Sequence, residues 1–193
     1  MTTIALLIVT CQDGDVKFTF KCDSTSLDFI GTLKARREDA PIEMLESPED
    51  AALWFQEAGI VDDVLDFTPR DFERALDLRR AVWTVVDAHL DAAEFPEAAL
   101  ATLNARASEP DPVPRLASDG RHIDATPDRA LSAIARDAIA ILSGTDLIKE
   151  CSRPGCNQVY VDRSRGGRRE WCAMDPCGNR IKAREYRARK NAG

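Results

Sequence analysis

The chain opens with a run of apolar and β-branched residues at positions 3–10. The turn dipeptide Asp13-Gly14 follows, and then Val16, Phe18 and Phe20 alternate with polar residues. An apolar, β-branched run before an Asp-Gly turn and a period of two after it predict a β-hairpin, with residues 4–10 as its first strand. From there the period changes. Leu27, Phe29, Ile30 and Leu33 recur at helical spacing behind Asp23 and Ser24, either of which can accept the first-turn N–H groups. Ser47-Pro48-Glu49-Asp50 combines a cap, a first-turn proline and first-turn acids, and Gly59 is placed to end that helix. Its inward face is predicted to hold Ala51, Trp54, Phe55 and Ala58.

The same start chemistry recurs twice. Thr68-Pro69-Arg70-Asp71 opens the longest helix, with Phe72, Ala75, Leu76, Val82, Val86 and Leu90 recurring at three- to four-residue intervals. Thr126-Pro127-Asp128 opens a last one reaching Gly144, with Leu131, Ile134, Ala138 and Leu142 facing inward. Between them the pattern predicts a short helix after Pro96 through Leu100 and Leu103, and a proline-rich connector at 109–114. A small hairpin at 116–125 around Asp119-Gly120 completes this stretch. The expected fold class is therefore mainly α: a multihelical N-terminal domain with short β-hairpins over residues 1–148, then a small, different module over 149–193.

Composition narrows the class. With 193 residues, 44% hydrophobic and 31% charged, the chain can bury one core of ordinary size and lacks the apolar-poor balance of a disordered protein. The longest apolar run, residues 4–9, falls far short of the ~20 residues needed to cross a bilayer. It also has no Lys or Arg before it, so the expectation is a cytoplasmic protein with no membrane partner.

Charge and cysteine divide the chain at the same place. Residues 1–148 carry 14 Lys and Arg against 28 Asp and Glu, a balance of −14, whereas residues 149–193 carry 12 against 5, a balance of +7. Four of the six cysteines, Cys151, Cys156, Cys172 and Cys177, lie in that basic end as two Cys-x4-Cys pairs separated by 15 residues. A reducing compartment does not maintain disulfides there, so paired cysteines favour a metal. Four thiolates at ~2.3 Å close a tetrahedral zinc site and leave no open position, which points to one structural Zn2+ and not a catalytic one. The segment has few large apolar side chains, so metal binding supplies much of its folding free energy. Residues 158–162 are strand-like, Arg165-Gly166-Gly167 is a turn, and residues 170–172 are placed to pair back, a zinc-ribbon-like arrangement. Trp171 is expected to pack under the metal knuckle.

A helix-like basic run follows the last cysteine, bearing Arg180, Lys182, Arg184, Arg187, Arg189 and Lys190. At 100° per residue Arg180, Arg184 and Arg187 fall within about 60° of one another, a stripe able to follow a phosphate backbone. Arg163, Arg165, Arg168 and Arg169 add cations in the preceding loop. Asn179 is suited either to read a base or to cap the helix, and Tyr186 either to stack on a base or to pack. The acidic domain repels nucleic acid at close range, but screening over ~8 Å lets a projecting module act separately. The remaining candidates are bland. His89 beside Val86 and Leu90 reads as a boundary histidine, Cys11 and Cys22 as free thiols, and Asp62, Asp63 and Asp66 as a solvated turn.

Cys172-Ala-Met-Asp-Pro-Cys177-Gly-Asn-Arg180, together with Cys151, Cys156, Val161-Asp162-Arg163-Ser164 and Lys182-Ala-Arg-Glu-Tyr186-Arg-Ala-Arg, resembles the CGNR zinc finger. Upstream, Leu27-Asp28-Phe29 with Thr32-Leu33, the Trp54 helix ending in Glu57-Ala-Gly59, and Leu78-Arg79-Arg80-Ala81 resemble the ABATE domain that precedes this finger in bacterial proteins. The two resemblances cover residues 18 to 190. They imply a bacterial transcription regulator, with the four cysteines as zinc ligands and the finger as the DNA-binding part. Glu170 departs from the family pattern by interrupting a run that is usually basic before the Trp.

Two functions follow. The first is a DNA-binding regulator whose helical domain senses a small-molecule effector or a protein partner. The alternative is an interaction module whose basic finger docks on an acidic protein. No nucleophile and base stand at recognisable spacing, so an enzyme is not expected. No heptad or long apolar stripe announces a dimer interface, so the sequence leaves the oligomeric state open.

Overall fold

The structure, a computed structural model, describes residues 17–191. The expected first strand at 4–10, the Asp13-Gly14 turn and Cys11 lie outside the described residues. The described end of the expected second strand is not paired as one. Lys17 and Phe18 donate their N–H groups to the Glu57 carboxylate (3.4 and 3.1 Å), and Phe18 is buried.

Helix α1 (Thr25–Ile30) is capped by Ser24, not Asp23. The Ser24 hydroxyl and the Ser26 N–H both donate to the Asp137 carboxylate (2.5 and 2.8 Å), which places an acid at the positive end of α1 and ties it to the last long helix. A minimal ribbon follows, β1 (Leu33–Lys34) against β2 (Ile42–Glu43). Helix α2 (Pro48–Glu57) begins at the expected cap, Ser47, and α3 (Pro69–Leu90) begins at a reciprocal capping box between Thr68 and Asp71. Gly59 follows α2 with φ +69, the left-handed conformation that suits glycine there.

Helix α3 is the spine. Its buried Leu78, Val82 and Val86 meet α1, α2 and the later α5. The Trp83 indole donates to the Ile30 carbonyl (3.0 Å), and the buried Arg79 guanidinium forks onto Glu43 (2.7 and 2.5 Å) and donates to the Thr32 hydroxyl (2.8 Å). Phe29, Trp54, Phe55 and Phe67 form a contiguous aromatic cluster under α2.

Helix α4 (Glu97–Ala107) packs on α3. The next hairpin, β3 (Val113–Ala117) with β4 (Gly120–Asp124), starts within the expected connector and includes Pro114 opposite Ile123. A two-stranded ribbon has free edges, so a proline without an N–H is accommodated there. Asp62, expected to be solvated, accepts the Ile123 N–H at 2.6 Å and so fastens this hairpin. Helix α5 (Pro127–Ser143), capped by Thr126, buries Leu131, Ile134, Ala135 and Ala138.

The chain then forms β5 (Ile148–Glu150) and β6 (Val159–Val161), antiparallel, with Lys149 opposite Tyr160. This corrects the expected pairing. Among the described residues, 170–172 make one main-chain bond beside the ribbon, from Ser152 N–H just after β5 to the Glu170 carbonyl (2.9 Å), and β6 pairs instead with the segment at the expected domain boundary. The expectation of a projecting module is also corrected. Val159, Tyr160, Val161, Cys172 and Cys177 belong to the same buried cluster as Leu27, Trp54 and Val82. An irregular turn, Met174–Gly178, leads into α6 (Asn179–Asn191).

Candidate metal centre

Two tight loops bring the four cysteines together. Cys151 leaves β5 with its N–H on the Gln158 carbonyl (2.8 Å), and the chain reverses through Gly155 (φ +72) and Asn157 (φ +53) to place Cys156. Cys172 and Cys177 flank the irregular turn, closed by the Gly178 N–H on the Ala173 carbonyl (3.0 Å). Gly178 packs closely in this turn: a Cβ there meets Met174 Sδ at 2.8 Å and the Trp171 ring at 3.2 Å, so a larger residue displaces the Met174 side chain. Trp171 is half-buried against the core as expected, with the Lys182 ammonium 5.8 Å from its ring centre.

The sulfurs of all four cysteines lie within 4.8 Å of one another, and three of their separations are 3.6, 3.6 and 3.8 Å. Four thiolates at ~2.3 Å from a tetrahedral ion stand about 3.8 Å apart, so the cage has the size of a zinc site. The clustered thiols perturb each other. Cys156 is held well below the ordinary thiol value by its neighbours, Cys151 first and then Cys172, and Cys172 is pushed up by Cys151 first and then Cys156. Outside the four ligands, Arg153 donates Nε–H to Cys177 Sγ (3.1 Å).

A model of the ABATE family, described as "Putative stress-induced transcription regulator", matches residues 23–145, and a model of the CGNR zinc finger matches residues 148–190. The chain belongs to the ABATE family. No curated protein matches it. As a CGNR zinc finger, its four cysteines hold one structural zinc ion, and no helix among the described residues is long and apolar enough to cross a membrane.

The basic residues of this ABATE-family chain divide into two groups. Arg180, Lys182, Arg184, Arg187, Arg189 and Lys190 on α6 are exposed, as are Arg165 and Arg168 in the loop, and none of them pairs with a carboxylate among the described residues. Arg163 is also exposed, with its guanidinium 3.8 Å from Asp146. Asn179 is exposed within the first turn of α6, in helical backbone conformation, so it is not the cap of that helix. Tyr186 is 63% exposed and is not a packing residue.

Arg169 departs from its expected group. Its guanidinium turns inward, stacks on Tyr160 (4.4 Å to the ring centre), donates to the carbonyls of Lys21 and Trp171 (both 2.8 Å) and of Cys172, and pairs with Asp23. An arginine with these acceptors fastens the finger to the segment before α1. Tyr160, buried beneath it, donates its hydroxyl to the Arg169 carbonyl (2.8 Å), and burial pushes the phenol up to about 12.

Sequence reasoning missed three positioning residues. Asp162, with a fully buried side chain, accepts from Lys149 Nζ (2.7 Å) and from the N–H groups of Ser164 and Arg169 (3.0 Å each). Lys149 Nζ also donates to the carbonyls of Gly167 (2.5 Å) and Arg169 (3.1 Å). Together they shape the loop that displays Arg163, Arg165 and Arg168. Burial alone raises a carboxyl, but here Lys149 and the Ser164 contacts outweigh it and hold Asp162 well below the usual carboxylate range. The Asp-x-Ser spacing was the available signal, since it is that of a side chain bonding to a backbone N–H two residues on. Gln158 joins the halves from the other side, donating to the Leu27 carbonyl (3.2 Å) and Cys22 Sγ (3.1 Å).

Proposed function

We propose that the protein is a zinc-dependent DNA-binding regulator of a reducing, cytoplasmic compartment, without enzymatic activity. In this reading α6 and the Arg163–Arg168 loop meet the phosphate backbone, and the helical domain reports a ligand or partner to them. One observation carries it: a helix with six cations stands exposed at the end of a metal-held turn, with no described carboxylate neutralising it. An isolated solvated helix needs no such support. A helix that must present arginines to a polyanion at fixed positions gains from the rigid turn before it, because less side-chain and backbone freedom is lost on binding.

The test is a salt titration of duplex binding by the zinc-loaded chain. Log affinity is expected to fall linearly with log salt, and Arg184→Ala with Arg187→Ala to reduce the slope by about two. A double variant with unchanged affinity and slope overturns the assignment of this stripe. Saturable binding to an acidic protein, with no duplex affinity at moderate salt, moves the function to protein docking.

A further inference from the structure

Beside the metal cage, between the ribbon and the segment before α2, lies a cleft of about 260 Å³. At ~30 Å³ each this is the volume of roughly nine waters, far more than the interior of a four-sulfur cage. It is lined by three of the four zinc ligands, Cys156, Cys172 and Cys177, and by three cationic side chains, Lys21, Lys34 and Arg153, with no Asp or Glu among its lining residues, in a chain whose net charge is −7. Around them lie apolar groups, among them Ala173 and Ile42, the latter 56% exposed to solvent.

The zinc centre accounts for part of this charge. Four thiolates around a dication leave −2, and Arg153 is committed to Cys177 Sγ. Against that −2 the three cations leave the cleft a net charge of +1, and the two lysines are the cations that make no contact with a ligand sulfur among the described residues. Lys21 reaches only a backbone carbonyl, that of Asp175 (3.3 Å), and Lys34 has no carboxylate partner among the described residues. A larger, shallower groove of about 640 Å³ between α3 and α4 differs on this point, because its Arg74, Arg80 and Arg106 are already paired with Asp71, Asp77 and Asp128.

We infer that the cleft binds a small organic oxyanion, a carboxylate or phosphate monoester carrying a compact apolar group. Its charge meets Lys21 and Lys34, and its apolar part covers Ile42 and Ala173. The occupant touches both halves of the molecule. Lys21 precedes α1, Lys34 lies on β1, and Ala173 immediately precedes the turn that launches α6. When Lys21 turns to the anion it leaves the Asp175 carbonyl in that turn, which gives the helical domain a route to α6. The route to α6, and not the binding, rests on the DNA-binding reading.

The experiment titrates the zinc-loaded full chain with phenyl phosphate and with benzoate, against neutral phenol and benzamide, following backbone amide resonances. Both anions are expected to shift Lys21, Lys34, Ala35 and Ala173 saturably. Lys34→Gln and Lys21→Gln should each weaken binding about tenfold or more with zinc content unchanged. A response to one anion alone assigns the class as phosphate or carboxylate. Absence of shifts at millimolar probe, equal shifts with the neutral compounds, or wild-type affinity in both lysine variants overturns the site. Displacement of phenyl phosphate by a short duplex at low salt makes the cleft a seat for backbone phosphate and overturns the small-molecule assignment. Loss of the salt slope in duplex binding, with the amide shifts intact, removes the DNA reading and leaves this site standing.

Discussion

The ammonium of Lys149 on β5 lies 2.7 Å from the carboxylate of Asp162, whose side chain is shut off from water. This pair fixes the loop from Arg163 to Arg169 from beneath, because each partner also bonds the loop's own main chain. Replacing the charge while keeping the shape, Asp162→Asn, is expected to speed amide exchange at Ser164 and Arg169 about tenfold, with zinc content unchanged. Because the carboxyl titrates below its ordinary value of ~3.9, the anchor is present above that pH and is lost only as pH falls through the lower folded value. The Ser164 amide resonance is therefore expected to stay flat from pH 7 down to about 4. A titration step in that range removes the argument.

Removal of zinc is expected to reach beyond the finger. The Val161 N–H donates to the Cys22 carbonyl (2.8 Å), Arg169 donates to the Lys21 carbonyl, and the ribbon shares its core with α1. One ion per chain should be released by a strong chelator, and hydrogen-exchange protection should fall both in residues 148–178 and in residues 21–30. Loss confined to the C-terminal segment makes the shared core energetically minor.

Gly31 ends α1 where a Cβ meets the Gln158 amide at 2.3 Å. Its φ of −68 is open to any residue, so Gly31→Ala acts by displacing Gln158 and not through backbone strain. The expected cost is about 0.5–1.5 kcal/mol for the lost Gln158 hydrogen bond, since the Leu27 carbonyl keeps the Gly31 N–H (3.0 Å), measured as a lowered urea midpoint. Pairing it with Gln158→Ala should relieve most of the steric part, and additive costs in the double variant speak against this contact.

Cys22 is pushed well above the ordinary thiol value, by burial first and then by the nearby Asp28 carboxylate. A raised folded value means that its contribution to stability is present below the unfolded thiol value of ~8.5 and fades as pH rises through the folded one. The thiol is thus neutral and slow to alkylate in the native zinc-loaded protein. Peptide mapping after iodoacetamide at pH 8 should find Cys22 unmodified until denaturant is added, whereas ready native labelling contradicts its burial.

What the sequence determined by itself is what short-range chemistry controls. Ser47, Thr68 and Thr126 cap α2, α3 and α5 because a side-chain oxygen and an N–H three residues on need no third party. The two Cys-x4-Cys pairs were legible for the same reason, since each loop is set by its own turn residues. Tertiary structure decided the rest. Strand β6 pairs with β5 and not with residues 170–172 because competing edges differ in their fit to the core, which spacing does not encode. Arg169 looks like Arg168 in the chain, yet one faces solvent and the other lies on Tyr160 among carbonyls of Lys21, Trp171 and Cys172. Lys21 and Lys34 share a cleft with Arg153 only because residues more than a hundred positions apart are packed onto one cage. Long-range packing chooses among partners that local pattern leaves equivalent, and it does so through burial and hydrogen-bond satisfaction summed over the whole fold.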